Sequence, residues 1–152
     1  MSEFDIGGGD AFREFADDLE SMADDVADAL DDAVEKTALQ VERSAKERAP
    51  VDTGNLRASL RSARVGPANY LVGTNVEYAP DVEFGTQPHV ITPDDAEALR
   101  FEGADGDIVF AQRVEHPGTP AQPYLRPAVG EHESDLSRNI RAAIADLADR
   151  QF

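Results

Sequence analysis

From Asp10 onward, Phe12, Phe15, Leu19, Met22, Val26, Leu30, Ala33, Thr37 and Val41 recur at steps of three or four, with mostly Asp, Glu and Ala between them. That spacing paints one apolar stripe along an acidic cylinder and predicts a helix from Asp10 to Ala49. Asp10 is placed to cap its first turn, and Arg43, Lys46 and Arg48 suit the negative end of its dipole. At ~1.5 Å per residue the helix is about 60 Å long, whereas a compact chain of 152 residues has a diameter of about 40 Å. It must therefore break, with Leu30-Asp31-Asp32 as the candidate place, or lay part of its stripe against another subunit. A membrane surface fits poorly, because the polar face is acidic where anionic lipid would need Lys and Arg.

The helix ends at a corner, Ala49-Pro50-Val51-Asp52-Thr53-Gly54-Asn55-Leu56. Pro50 has no amide proton and drives Ala49 out of helical geometry; Asp52 and Thr53 can turn their oxygens onto nearby amides, and Gly54 tolerates a positive φ. Beyond the corner the period shortens. Leu60–Val65 and Tyr70–Thr74 read as a hairpin around Gly66-Pro67-Ala68-Asn69. Val76–Thr86 reads as one helical turn ended by Gly85, with Tyr78, Val82 and Phe84 as its buried side. His89-Val90-Ile91 is extended. Ala98–Glu102 and Asp107–Glu115 form a second hairpin around Gly103-Ala104-Asp105-Gly106, its second arm alternating from Ile108 to Val114. His116 to Pro123 is a proline-rich loop, and a last helix runs from Leu125 to about Ala148 with Val129, Leu136, Ile140, Ile144 and Leu147 as its inner face. The order is that of an α+β fold: an antiparallel sheet of about four strands flanked by a long N-terminal helix and a C-terminal helix. Residues 1–9, with three glycines, read as a flexible arm, and 10–152 as a single domain.

Charge changes this picture. The chain carries 31 acids and 14 bases, a net charge of −17, and twelve of the fourteen bases are arginine. Self-repulsion at this density destabilises a compact state in dilute buffer and fades at molar salt, where the Debye length is about 3 Å. An acidic, lysine-poor surface points to a halophilic host, against the plainer reading of an ordinary acidic protein. The distribution is uneven: residues 1–35 hold thirteen acids and one base, residues 36–64 seven bases and three acids. The basic block around the corner, Arg43, Lys46, Arg48, Arg57, Arg61 and Arg64, is a docking surface for an acidic neighbour, which could be another copy of the chain. There is no cysteine, so no disulfide, and the acidic first ten residues do not form a leader.

No catalytic constellation emerges. His89, His116 and His132 lack metal-ligand spacing, Asp105-Gly106-Asp107 is a fragment of a calcium loop without the remaining positions, and Asp94-Asp95 after Pro93 most simply caps a turn. Gly7-Gly8-Gly9 lacks the lysine of a phosphate loop, and Glu77 and Glu83 read as solvated or salt-bridged. The expectation is no enzyme, no cofactor and no metal, with a small hydrolase built on His116 as the outside alternative.

Three blocks taken together resemble a known family: Ala49-Pro50-Val51-Asp52-Thr53-Gly54-Asn55-Leu56-Arg57; Val72-Gly73-Thr74 with Tyr78-Ala79 and Val82-Glu83-Phe84-Gly85-Thr86; and His116-Pro117-Gly118-Thr119 leading to Pro123-Tyr124-Leu125-Arg126-Pro127-Ala128. In order and spacing they are similar to the neck, or tail-completion, proteins of long-tailed phages and related archaeal viruses, the lambda Z-type minor tail proteins. The resemblance implies a non-catalytic ring subunit, sixfold or twelvefold, at the head–tail junction of a virion, assembled in the host cytoplasm. Implied partners are its own copies, a head-side connector, a tail terminator or tail tube protein, and viral DNA passing through the bore without specific binding; no membrane is implied. Interface positions expected on this basis are Arg57, Arg61 and Arg64, with Tyr78, Glu83, Phe84 and the loop of His116, Pro117, Gly118 and Thr119. The competing reading is a protein–protein interaction module of a halophile.

Overall fold

The first helix does not break. In the computed structural model, which describes residues 8–52, 54–94, 97–102 and 105–151, helix α1 runs without interruption through Gly8–Arg48, 41 residues. It starts before the expected cap, so Asp10 sits inside the first turn and accepts a hydrogen bond from Arg13 at 3.1 Å. The expected arm lies outside the described residues except for Gly8 and Gly9, which are helical. Thr53 of the corner, Asp95, and Gly103 and Ala104 of the second turn also lie outside them. The corner turns through Gly54 at φ +79° into α2 (Asn55–Ser59).

Helix α4 (Leu125–Gln151) packs antiparallel against α1. Glu131 meets Ser44 and Arg48 at 2.7 and 2.6 Å near the corner end. Further along, the buried Asn139 amide donates to Thr37 and to Gln40, both at 3.0 Å, while Thr37 donates to the Ala33 carbonyl at 2.9 Å. Arg150 lies across a shallow cleft from Asp25, so α4 ends there. Residues 8–24 of α1 project beyond it by about 25 Å.

Strands β1 (Arg61–Gly66) and β2 (Asn69–Gly73) form the expected hairpin, which is fastened to α1 by two carboxylates. Asp31 accepts from Arg64 Nε at 3.0 Å, the Ala68 amide at 2.7 Å and the Tyr70 hydroxyl at 3.0 Å. Glu42 accepts from the Ser62 amide at 2.6 Å, the Ser62 hydroxyl at 2.7 Å and Lys46 at 2.5 Å. Eleven residues return an α-helix to within about 20° of the same direction, so both acids face one strand pair. The place where a break was conceivable is thus where the hairpin is held.

The fold class is α+β as expected, but the strands do not form one sheet. Among the described residues there are three two-stranded antiparallel ladders. Beyond β1–β2, β3 (His89–Ile91) pairs with β6 (Val114–His116), and between them β4 (Leu99–Glu102) pairs with β5 (Ile108–Ala111). The long arm expected from Ile108 to Val114 is two strands: the alternation continues through Gln112 and Arg113, but the pairing partner changes there.

Short α3 (Ala79–Phe84) ends at Gly85 as expected, yet its buried positions are Ala79 and Glu83. Tyr78 and Phe84 are exposed at 44% and 63%, which corrects their assignment to the inner side. On α4 the buried positions are Ala128 and Asn139, while Val129, Leu136 and Ile144 face outward. The fully buried positions of α4 are thus small and amide side chains; of the expected inner face, Ile140 and Leu147 are half-buried and the other three are turned outward. The core sits at the corner: Val41, Ala45 and Ala49 of α1, Leu56 and Leu60 after the turn, then Ala79, Tyr124 and Ala128.

The Lys46 hydrogen bond, reinforced by both Ser62 donors and opposed by burial, holds the Glu42 carboxyl at about 2 against an ordinary 4.5. A pKa depressed in the fold contributes stability that is complete above 4.5 and lost as pH falls toward about 2. Chemical unfolding across that window should show stability falling with acid, and the Glu42→Gln chain should show a shallower fall.

Candidate functional site

The three blocks quoted above converge on one cleft of about 470 Å³ beside the corner. Pro50 and Leu56 come from the first block, Tyr78 and Val82 from the second, and Thr119 from the third, with Pro120 just after it. What brings them together is a buried carboxylate. Glu83 is 5% exposed and accepts the backbone amides of Tyr124, Leu125 and Arg126 at 2.8, 2.9 and 3.0 Å, with Arg126 Nε at 3.0 Å. The first turn of α4 has no intrahelical acceptors for those amides, and a negative charge there suits the helix dipole. Burial alone would raise the Glu83 pKa; the three amides and the Arg126 guanidinium outweigh it and hold the carboxyl below the usual carboxylate range.

A backbone strap closes the other side. Thr86 and Thr119 exchange amide–carbonyl hydrogen bonds at 2.9 and 3.2 Å, and the Gln122 amide donates to the Val82 carbonyl at 2.8 Å. The strands approach so closely that a Cβ on Gly85 would meet the Thr119 oxygen at 2.6 Å, and one on Gly118 the Thr86 oxygen at 2.3 Å. Both glycines also have positive φ, +73° and +85°, so two separate constraints select glycine.

The expected interface residues fall into two groups. Glu83, Gly118 and Thr119 build the strap and cap just described. His116 ends β6, stacks on His89 at 5.0 Å between ring centroids, and accepts the Gly118 amide on Nδ1 at 3.1 Å, with Pro117 exposed between them. Phe84 lies on the surface under the Arg126 guanidinium, 4.6 Å from the ring centroid. Arg64 is engaged by Asp31. Arg57 donates to the Ala49 carbonyl at 3.5 Å, and neither it nor Arg61 forms an ion pair among the described residues; both are exposed. Sequence reasoning missed Asp31, Glu42 and Asn139. The available signal was a pair of acids eleven residues apart on the helix, opposite the alternate strand positions Ser62 and Arg64.

Large apolar surface stays uncovered. The projecting part of α1 exposes Phe12 at 72%, Phe15 at 59%, Leu19 at 50%, Met22 at 39% and Val26 at 36%. The β4–β5 hairpin exposes Phe101, Ile108, Val109 and Phe110. Among the described residues, no group of three or more His, Asp or Glu gathers as a metal site, and no helix is long and apolar enough to cross a membrane.

Glu83→Ala should lower unfolding stability by roughly 2–4 kcal/mol, since three helix-start amides and an arginine lose a buried acceptor. Gly118→Ala should also destabilise the fold. Urea titration followed by far-ultraviolet circular dichroism checks both, and a Glu83→Ala chain as stable as the parent would remove the cap from its assigned role.

Comparison with known proteins gives one finding. Residues 13–85 match the family model described as "Bacteriophage HK97-gp10, putative tail-component". No curated protein and no solved structure matches the chain. The match agrees with the neck and tail-completion resemblance carried by the corner and by the Val82–Thr86 run. The matched stretch, just under half of the chain, takes in α1 from Arg13 onward, the Pro50 corner, the β1–β2 hairpin and α3, and what it is similar to is a family of phage tail components.

Proposed function

We propose that this chain is a non-catalytic structural subunit of a virus tail, which closes with its own copies into a sixfold or twelvefold ring at the neck between head and tail. The observation that carries this reading is surface. The chain exposes 11575 Å², whereas a compact monomer of 16.4 kDa exposes about 7500 Å². The excess, about 4000 Å² on one copy, is of the order that two large obligate interfaces would bury, and part of it is the apolar stripe of the projecting helix. The family match supports the setting. In the assembled ring, the exposed Arg57 and Arg61 face acids of the next copy or the next ring, while Arg64 stays with Asp31. The head-side neighbour is a connector, the tail-side neighbour a terminator or tube protein, and an acidic bore lets duplex DNA pass because it repels phosphate. The acid load of −17 suits the cytoplasm of a halophilic host, in which such a virion assembles.

Light scattering and projection images of the purified chain in molar potassium chloride test the reading. The expected result is closed rings of six or twelve copies. A 16.4 kDa species at every concentration, alone or with purified tail proteins, would overturn it and favour a protein–protein interaction module. Raising salt from 0.1 to 2 M should also raise the thermal midpoint; a midpoint indifferent to salt would remove the halophilic host from the proposal.

A further inference from the structure

One groove on this acidic chain has no acid in it. Its lining of about 770 Å³ lies on the outer face of the β1–β2 hairpin, where Ala58, Arg61, Ala63, Leu71, Val76 and Tyr78 come together. None of its eleven lining residues is Asp or Glu, and Arg61 is basic. By contrast, the corner cleft carries Asp52 and Asp81, and the grooves along α1 carry Asp32, Glu35, Glu42 and Glu47. The strand register explains why the face is free. Ser62 and Arg64 point at α1 and are tied to Glu42 and Asp31, so Ala63, Val65 and their cross-strand neighbour Leu71 point away. Val65 and Leu71 are 53% and 62% exposed.

The projecting part of α1 needs such a surface. Its stripe from Phe12 to Val26 is apolar, and its flanks carry Glu14, Asp17, Asp18, Glu20, Asp24 and Asp25. Any surface that covers the stripe must be apolar along its middle and free of carboxylates at its edges, because like charges brought together at a contact are penalised. The hairpin groove meets both conditions and supplies a cation. The same chain cannot fill it: α1 is one unbroken helix, and the groove is turned away from it.

We infer that the projecting stretch of α1, residues 12–26, of one copy docks in the hairpin groove around Leu71 and Arg61 of the next copy. This rests on the subunit reading above and names its contact. The two surfaces differ, so the contact is head-to-tail, and it closes a ring when the rotation between copies closes.

The absence of cysteine makes the test direct. Leu19→Cys chains are mixed with Leu71→Cys chains in molar potassium chloride and treated with a short bis-maleimide. Ala145→Cys, on the outer side of α4, replaces Leu19→Cys in the control. A cross-linked dimer from the first mixture and none from the control is the expected result. In parallel, Phe15→Asp with Leu19→Asp should weaken self-association by about 100-fold, with helical dichroism unchanged because both side chains are exposed. Assemblies that form without the 19–71 cross-link, or that tolerate the double substitution, overturn this contact and leave the subunit reading standing. A chain that stays monomeric at every concentration overturns both.

Discussion

Everything around the corner depends on a carboxylate buried forty residues before the helix it caps. Glu83 belongs to a six-residue helix that has little reason to persist alone, and α4 begins without a local capping side chain for its first amides. Each cures the other's defect. The carboxylate is costly to bury without partners, and the amides are costly to bury without an acceptor, so neither element holds its place unless both do. Because α4 then packs along α1, the same contact ties the second half of the chain to the first. The Thr86–Thr119 strap, with glycine at its two tightest points, fixes the remaining freedom between α3 and the proline-rich run.

The helices were legible in the sequence, and so was the corner, because period and Pro-Gly punctuation are local properties. The first hairpin was legible for the same reason. The number of sheets was not. Alternation identifies an extended segment but carries no information about its partner, and Val114–His116 leaves the β5 pairing for His89–Ile91 while the alternation runs on. The burial of α3 and α4 was misjudged by favouring large apolar residues. The actual seam uses Ala45, Ala128 and Asn139, and it leaves Phe84, Val129 and Ile144 outside. Of the site, the block containing Glu83 was visible, but its role as a distant cap was not, since nothing local announces a partner forty-one residues away.

The balance between a small core and a large acidic surface gives the molecule its character. Eight buried residues gather at one end of a helix of 41 residues, and the β1–β2 hairpin and the start of α4 are each held by hydrogen bonds to single carboxylates. Asp31 and Glu42 are therefore not interchangeable with the many solvated acids around them. Each orients a strand position that a neutral helix could not hold. The net excess of acids repels, and that effect weakens as ions crowd the surface.

The layer of Thr37, Gln40 and Asn139 between α1 and α4 has a geometric consequence. Sliding one helix along the other by a turn would separate the Asn139 amide from both acceptors and bury it unpaired, so the pair has a single register. The distance by which α1 extends past its partner is then the same in every molecule. A buried amide thus acts as a ruler, and every copy reaches equally far.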